Sequence, residues 1–242
     1  VYAQSPFDGK KRLLMVASDV SSRYTRRGYE EYHKIASYIA RTVWARKGNY
    51  MVFFPSYKML EEVYAVYEEE FSVNWVKCIC QNSSMKEQER EEFLQEFEQN
   101  QESLVAFCIM GGIFSEGIDL TEDKLIGAMI IGTGLPQVCL ERELLKYYFD
   151  RKNLNGFDYA YLYPGMNKVL QAAGRVIRTD EDRGVILLLD DRFFDRRYQE
   201  TFPREWENQR SCSLGNMAEQ IEEFWKKEKE EAETTLDNKY SL

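Results

Sequence analysis

Histidine is almost missing from this chain: His33 is the only one, and the five cysteines, at 78, 80, 108, 139 and 212, contain no CxxC pair. Scattered thiols beside a single imidazole make no zinc or iron–sulfur ligand set, so no metal site is expected. An odd number of cysteines, mostly in apolar surroundings, reads as free, reduced, buried thiols in a cytosolic protein. No apolar run approaches the roughly 18 residues that would span a membrane. The opening Val1-Tyr2-Ala3-Gln4-Ser5-Pro6 lacks the basic and apolar regions of a signal peptide. It also lacks a start methionine, which suggests a piece of a longer protein.

Two catalytic signatures are missing as well. A P-loop, G-x-x-x-x-G-K-[ST], needs backbone amides around phosphate and a hydroxyl on Mg²⁺. The only Gly-Lys is Gly9-Lys10, with Gln4 and Lys11 at the two positions that would have to match. No G-x-S-x-G nucleophile elbow occurs. Glu30-Glu31-Tyr32-His33 has the outline of an acidic metal box, but such a box follows an apolar strand and this one lies in an amphipathic helix. No stand-alone hydrolase chemistry is visible.

The net charge of −9 argues against a non-specific nucleic-acid coat protein. It does not exclude a local basic groove, because the acids concentrate at 61–70, 87–102 and 219–233, all in helical-looking stretches that read as solvated outer faces. With 44% hydrophobic and 30% charged residues the composition is that of an ordinary globular domain.

Short β-branched runs alternate with helical patterns. Strands are expected at Leu13–Ala17, Met51–Phe54, Trp75–Cys80, Leu104–Ile109, Ala128–Ile131 and Val185–Leu189. Helices are expected at Tyr29–Lys47, Tyr57–Tyr67, Met85–Gln99, Pro136–Asp150 and Met166–Ile177. Gly48 fits the position after the first helix's cap, and Ser84 with Glu87 reads as a capping box. The pattern implies an α/β fold, a mostly parallel sheet with helices on both faces. Ligands in such sheets bind beyond the carboxyl ends of the strands. A charged helix from Asn216 carries Met217, Ile221, Phe224 and Trp225 at helical spacing, a stripe for the domain or for a neighbour. The expected division is a main domain over 1–215 and a charged helix and tail over 216–242.

The strongest local signal is Gln171-Ala172-Ala173-Gly174-Arg175-Val176-Ile177-Arg178. On a helix, positions 171, 174, 175 and 178 share a face of one amide, one bare backbone site and two guanidiniums. Arginines a turn apart suit a polyphosphate, since each fork contacts oxygens bidentately. The arginines alone would suit a solvated basic face; the added glutamine and glycine favour function. This octet resembles motif VI of superfamily 2 helicases. Asp182-Arg183-Gly184 followed by Asp190-Asp191-Arg192-Phe193 is similar to the XPD/DinG branch of that superfamily. Ser5-Pro6-Phe7 and Ser22-Arg23-Tyr24 resemble that branch's entry to the second motor domain. Val52–Tyr57 resembles its motif IV, Gln81 the glutamine of motif IVa, Ser115–Leu120 its motif V, and Gly132–Pro136 the segment after the next strand.

The resemblance implies a RecA-like second motor domain of an ATP-dependent helicase that moves 5′ to 3′ on DNA. ATP and Mg²⁺ would be bound jointly with an N-terminal motor domain, which would supply the P-loop and metal carboxylates. Gln171, Arg175 and Arg178 would serve catalysis, and Glu116, Gly117, Asp119 and Gly174 the nucleotide. Glu116 and Asp119 have an alternative as solvated acids in a glycine turn. Single-stranded DNA would meet Arg23, Tyr24, Arg26, Arg27, Ser56, Tyr57 and Gln81. The arginine cluster with its interleaved tyrosine has the mix that stacking and phosphate contact need, although a solvated loop against a partner domain has it too. Ser56 is also an N-cap candidate, and Gln81 also reads as a plain strand-end residue. A non-catalytic module of the same fold, or half of an RNA helicase, are the alternatives.

Overall fold

The computed structural model describes residues 8–99, 102–114, 124–179 and 181–227. Among them seven strands form one sheet in the order β3-β4-β2-β5-β6-β1-β7. These are β1 (Arg12–Ala17), β2 (Asn49–Phe54), β3 (Val76–Cys80), β4 (Ser103–Ile109), β5 (Gly127–Ile131), β6 (Gly184–Leu189) and β7 (Arg210–Cys212). Every pairing is parallel. The central strands β2, β5 and β6 are buried at every residue, which is why they read as unbroken apolar runs instead of alternating ones.

Helices cover both faces. On one face, α1 (Tyr29–Ala45) and α2 (Tyr57–Glu70) pack with Tyr38, Tyr50, Val63 and Phe107. On the other, α3 (Glu87–Gln99) and α5 (Tyr163–Ala173) pack with Phe53, Phe93, Met166 and Leu188. Between β5 and α5 lie α4 (Leu140–Asp150) and a π-helical turn at Asp158–Leu162 that runs straight into α5. Short α6 (Arg196–Gln199) follows β6. The last helix, α7 at 217–227, lays Met217, Ile221, Phe224 and Trp225 into the α1/α2 core. Its stripe therefore belongs to this domain, and each such side chain contributes at most about 1.5–3 kcal/mol.

Six expected strands are present within two residues of their expected ends. Several other expectations need correction. The helix expected from Pro136 begins at Leu140, because 133–139 runs irregularly across the sheet end. Ser84 does not cap α3: it bonds Asn82 Oδ1, while Glu89 accepts the Lys86 N–H at 2.6 Å and closes the first turn. Gly48 lies two residues beyond the Arg46 cap of α1, one further than expected. The helix expected over Met166–Ile177 ends at Ala173. Strand β7 has only three residues, too short for any periodicity to declare it.

Candidate functional site

At the carboxyl end of β1 the chain passes through Ser21–Gly28 before α1. Two buried seryl N–H groups fix this loop. Ser22 donates through its N–H and its hydroxyl to Asp190 Oδ2 at 2.9 and 2.6 Å. The Ser21 N–H donates to Glu31. Asp190 follows β6 and is fully buried. It also accepts from the Arg192 N–H at 3.0 Å, from Nε at 2.7 Å and from Nη2 at 2.9 Å. Arg192 Nη2 completes the triangle by donating to Ser22 Oγ at 2.8 Å. Burial pushes the Asp190 carboxyl up, but the Arg192 guanidinium and the Ser22 donors outweigh it and hold the group below the usual carboxylate range. Gly132, at φ +79°, closes the cluster; a Cβ there would stand 2.5 Å from Ser22 Oγ. Sequence reasoning assigned Asp190 and Arg192 no role of their own, since their meaning depends on a serine 168 residues away in sequence from Asp190.

The basic cluster is smaller than its residue count. Arg23 faces Asp191 at 3.5 Å and Asp195 at 3.8 Å, and Arg26 faces Glu31 at 3.0 Å and Asp191 at 3.9 Å. Arg27 donates to the Ser22 carbonyl at 3.2 Å and lies 5.6 Å over the ring of Tyr24, which is 85% exposed. Tyr24 and Arg27 line a hollow of about 330 Å³ with Tyr32 and Lys58, the latter at the start of α2. That hollow offers π faces and cations together. Glu31, whose neighbours gave the outline of a metal box, instead has its carboxylate on Ser21 and Arg26. Among the described residues no group of three or more His, Cys, Asp or Glu could hold a metal.

Ser56 accepts the Met59 N–H at 3.3 Å and so caps α2. Gln81 is buried; its oxygen accepts the Ile109 N–H at 2.9 Å and its amide donates to the Tyr57 hydroxyl at 3.2 Å. Gln81 thus ties the ends of β3 and β4 to α2, and Tyr57 is half-buried beside it.

The motif VI octet lies elsewhere. Gly134 and Gly165 meet backbone to backbone where α5 starts, at the carboxyl end of β5; at φ +66° a Cβ on Gly134 would stand 2.5 Å from the Gly165 carbonyl oxygen. From there α5 runs back along the sheet, so its last turn reaches the amino end, where Val176 packs on Gly184. Gln171 is exposed on that last turn, and Gly174 is the C-cap, with φ −67° and ψ 0°. Arg175 and Arg178 are half-buried and follow the helix. The shared helical face is therefore replaced by a helix end, a turn in which the Arg175 and Val176 N–H groups bond the Ala172 and Ala173 carbonyls, and an irregular segment. Among the described residues, a Cβ at Gly174 would meet within 4 Å only carbonyl oxygens of its own helix, those of Leu170 and Gln171. The segment is held by Asp182, buried, whose Oδ2 accepts the N–H groups of Arg178 and Thr179, each at 2.7 Å. Glu116, Gly117 and Asp119 lie outside the described residues.

The sheet thus separates two groups. Arg23, Tyr24, Arg26, Arg27, Ser56, Tyr57 and Gln81 gather at its carboxyl end; Gln171, Gly174, Arg175 and Arg178 stand at its amino end, one six-residue strand or about 20 Å away. The motif VI octet does not lie beyond the carboxyl ends of the strands, because it sits at the end of a returning helix.

A family model described as the helicase C-terminal domain matches residues 39–209. A probable ATP-dependent helicase of Methanocaldococcus jannaschii is 25% identical over 205 residues, covering 79% of this chain and 30% of that protein. A 3′-5′ exonuclease DinG of Staphylococcus aureus is 28% identical over 205 residues, covering 83% of this chain and 21% of that protein. This chain accordingly spans less than a third of the length of either relative. A solved XPD helicase superposes with a TM-score of 0.65 at 20% identity, covering 84% of this chain and 35% of that one, which agrees in fold. No helix among the described residues is long and apolar enough to cross a membrane.

Proposed function

The chain belongs to the helicase C-terminal domain family, in its XPD/DinG-type branch, and from that premise we propose that it is the second motor half of an ATP-driven 5′–3′ DNA helicase. ATP and Mg²⁺ bind between this half and an N-terminal motor domain that carries the P-loop and the metal carboxylates. Arg175 and Arg178 reach the phosphates across that cleft, with Gln171 and Gly174 beside them and Glu116, Gly117 and Asp119 completing the nucleotide contacts. Arg27, Tyr24 and the neighbouring Lys58 meet single-stranded DNA at the other end of the sheet; Arg23, Arg26, Tyr57, Ser56 and Gln81 shape or border that track. This half alone has no turnover.

The observation that carries the reading is the Asp182 clamp. A basic segment beyond a helix end would ordinarily be loose, and here its backbone is tied by two bonds to a buried carboxylate. Pre-organised guanidiniums stabilise a transition state more than bound substrate, because their ordering is complete before reaction.

The test is turnover in the full-length enzyme. Arg175→Ala and Arg178→Ala should each lower kcat by about 10³- to 10⁵-fold, with melting and DNA affinity nearly intact. Lysine should rescue poorly, lacking the planar fork, and Gln171→Ala should cost less. If KM rises and kcat does not change, the arginines act in ground-state binding only. Near-normal kcat in both variants would remove the assignment. Matched DNA and RNA duplexes unwound by the same enzyme decide between the two nucleic acids.

A further inference from the structure

Helix α4 has eleven residues and none of them is buried. It is nevertheless amphipathic. Leu140 and Leu144 lie one turn apart at 72% and 58% exposure, and Tyr147 and Tyr148 continue the row one turn on at 61% and 52%. Val138, just before the helix, is 77% exposed as well. What holds α4 to the domain is a polar set and one aromatic stack: Arg142 donates to the Ala160 carbonyl at 3.1 Å, the Tyr161 hydroxyl donates to Glu143 at 2.6 Å, Asp150 accepts the Gly156 N–H at 2.8 Å, and Phe149, across the helix from the leucines, stacks on Tyr159 with ring centroids 4.1 Å apart. The helix stands like an outrigger, attached through Arg142, Glu143, Phe149 and Asp150, with Leu140 and Leu144 turned away from its own domain. A contiguous exposed apolar patch of this kind marks an interaction surface.

We infer that this face of α4 is a permanent docking surface for another domain of the same, longer polypeptide, separate from the ATP cleft. The inference rests on the reading of the chain as one part of a full-length helicase. Three observations select a protein over a nucleic acid. Leu140 and Leu144 have no π face for a base, and the rings of Tyr147 and Tyr148 already carry Arg151 and Lys152 over them at 5.8 and 5.0 Å. The flanking charges nearly balance, Arg142, Lys146, Arg151 and Lys152 against Glu141, Glu143 and Asp150, so phosphate is hardly drawn to it. The chain spans only 30% and 21% of the two relatives, so most of such a polypeptide lies outside these residues. Two further points separate this contact from the cleft. Helix α4 leaves the carboxyl end of β5, whereas Arg175 and Arg178 stand at the amino end. An apolar contact also loses its stabilisation if it opens to water with every catalytic cycle. The occupant is therefore an apolar, charge-poor surface that stays in place while the cleft opens and closes.

A photo-crosslinking residue placed at Leu144, and separately at Tyr148, in the full-length protein tests this. Irradiation should join each position to a peptide outside the 242 residues of this chain, within one polypeptide, with equal yield with and without a non-hydrolysable ATP analogue and single-stranded DNA. Adducts to DNA would assign the face to nucleic acid, and dimer-sized adducts to a second copy. Either result overturns the inference, as does an adduct that appears only with nucleotide, no adduct at either position, or a natural polypeptide with nothing beyond these residues. The Arg175→Ala turnover assay runs in parallel. Normal turnover with an intact intramolecular adduct would sink the catalytic assignment and leave the docking surface; lost turnover without an adduct would do the reverse.

Discussion

Replacing Asp190 with Asn keeps the shape of the side chain and deletes its charge. The carboxylate is fully buried and takes five donors, two from Ser22 and three from Arg192, whose own side chain is only 19% exposed. Asparagine would turn an NH₂ group towards some of those donors and leave the guanidinium unpaired. Removing one partner of a buried pair costs about 3–5 kcal/mol, and for a domain of this size each kcal/mol lowers Tm by about 2–4 °C. Melting should fall by about 10 °C. Ser22→Ala, which deletes only the hydroxyl bonds, should cost about 2 kcal/mol. The pH dependence follows from the direction of the shift. The folded carboxyl sits below its unfolded value, so its stabilisation is present above about pH 3.9 and is lost as pH falls through the folded value. Urea titrations of wild type and Asp190→Asn should therefore differ by a constant amount between roughly pH 5 and 8 and converge only in stronger acid. A difference under about 1 kcal/mol at neutral pH, or one that closes near neutrality, would refute the buried ion pair as the loop's anchor.

Replacing Arg23, Arg26 and Arg27 by Ala should weaken binding to single-stranded DNA and flatten its salt slope, with Arg27→Ala alone accounting for most of the change because Arg23 and Arg26 are ion-paired. Fluorescence anisotropy at several salt concentrations measures it, and an unchanged slope would take these arginines out of the DNA path. Gly134→Ala should lower Tm by more than Asp190→Asn, since positive φ and the Gly165 carbonyl both oppose a Cβ; a variant that melts normally would show that the loop can shift. Thiol titration at pH 8 should find one fast cysteine of five, Cys139, which is exposed. Burial pushes the thiols of Cys78, Cys80 and Cys212 up to about 12 and that of Cys108 well up, so Cys139→Ser should abolish the fast phase.

Strand positions were legible because β2, β4, β5 and β6 are buried on both sides and therefore apolar after their first residues; the polar Asn49 and Ser103 stand at the starts of β2 and β4. Motif VI was legible as a string of residue types but not as a shape. Within Gln171–Arg178 only Gly174, the C-cap, hints that the helix stops at Ala173, and what holds the following segment is Asp182, outside the octet. The Ser22–Asp190–Arg192 triangle was out of reach for a related reason: β1 and β6 are neighbours in the sheet but distant in the chain. Of the proposed DNA residues, Ser56 and Gln81 turn out to have local bonds sufficient to explain them. Sequence counts of arginines also overstated the free charge after β1, because the pairing carboxylates, Asp191 and Asp195, come from the far side of the chain.

The separation of the two residue groups along the sheet has a mechanical consequence. The strands between them are buried on both faces, and a close-packed sheet of this kind transmits displacement instead of absorbing it. If the chain pivots as one body about the proposed ATP cleft, a rotation of about 10° over a radius of about 20 Å carries the far end about 3.5 Å. That travel is close to the spacing of stacked bases along one strand of a duplex, about 3.4 Å. The stroke length would then be set by strand length, and lengthening or shortening the strands would regear the motor without altering any residue that touches nucleotide or nucleic acid.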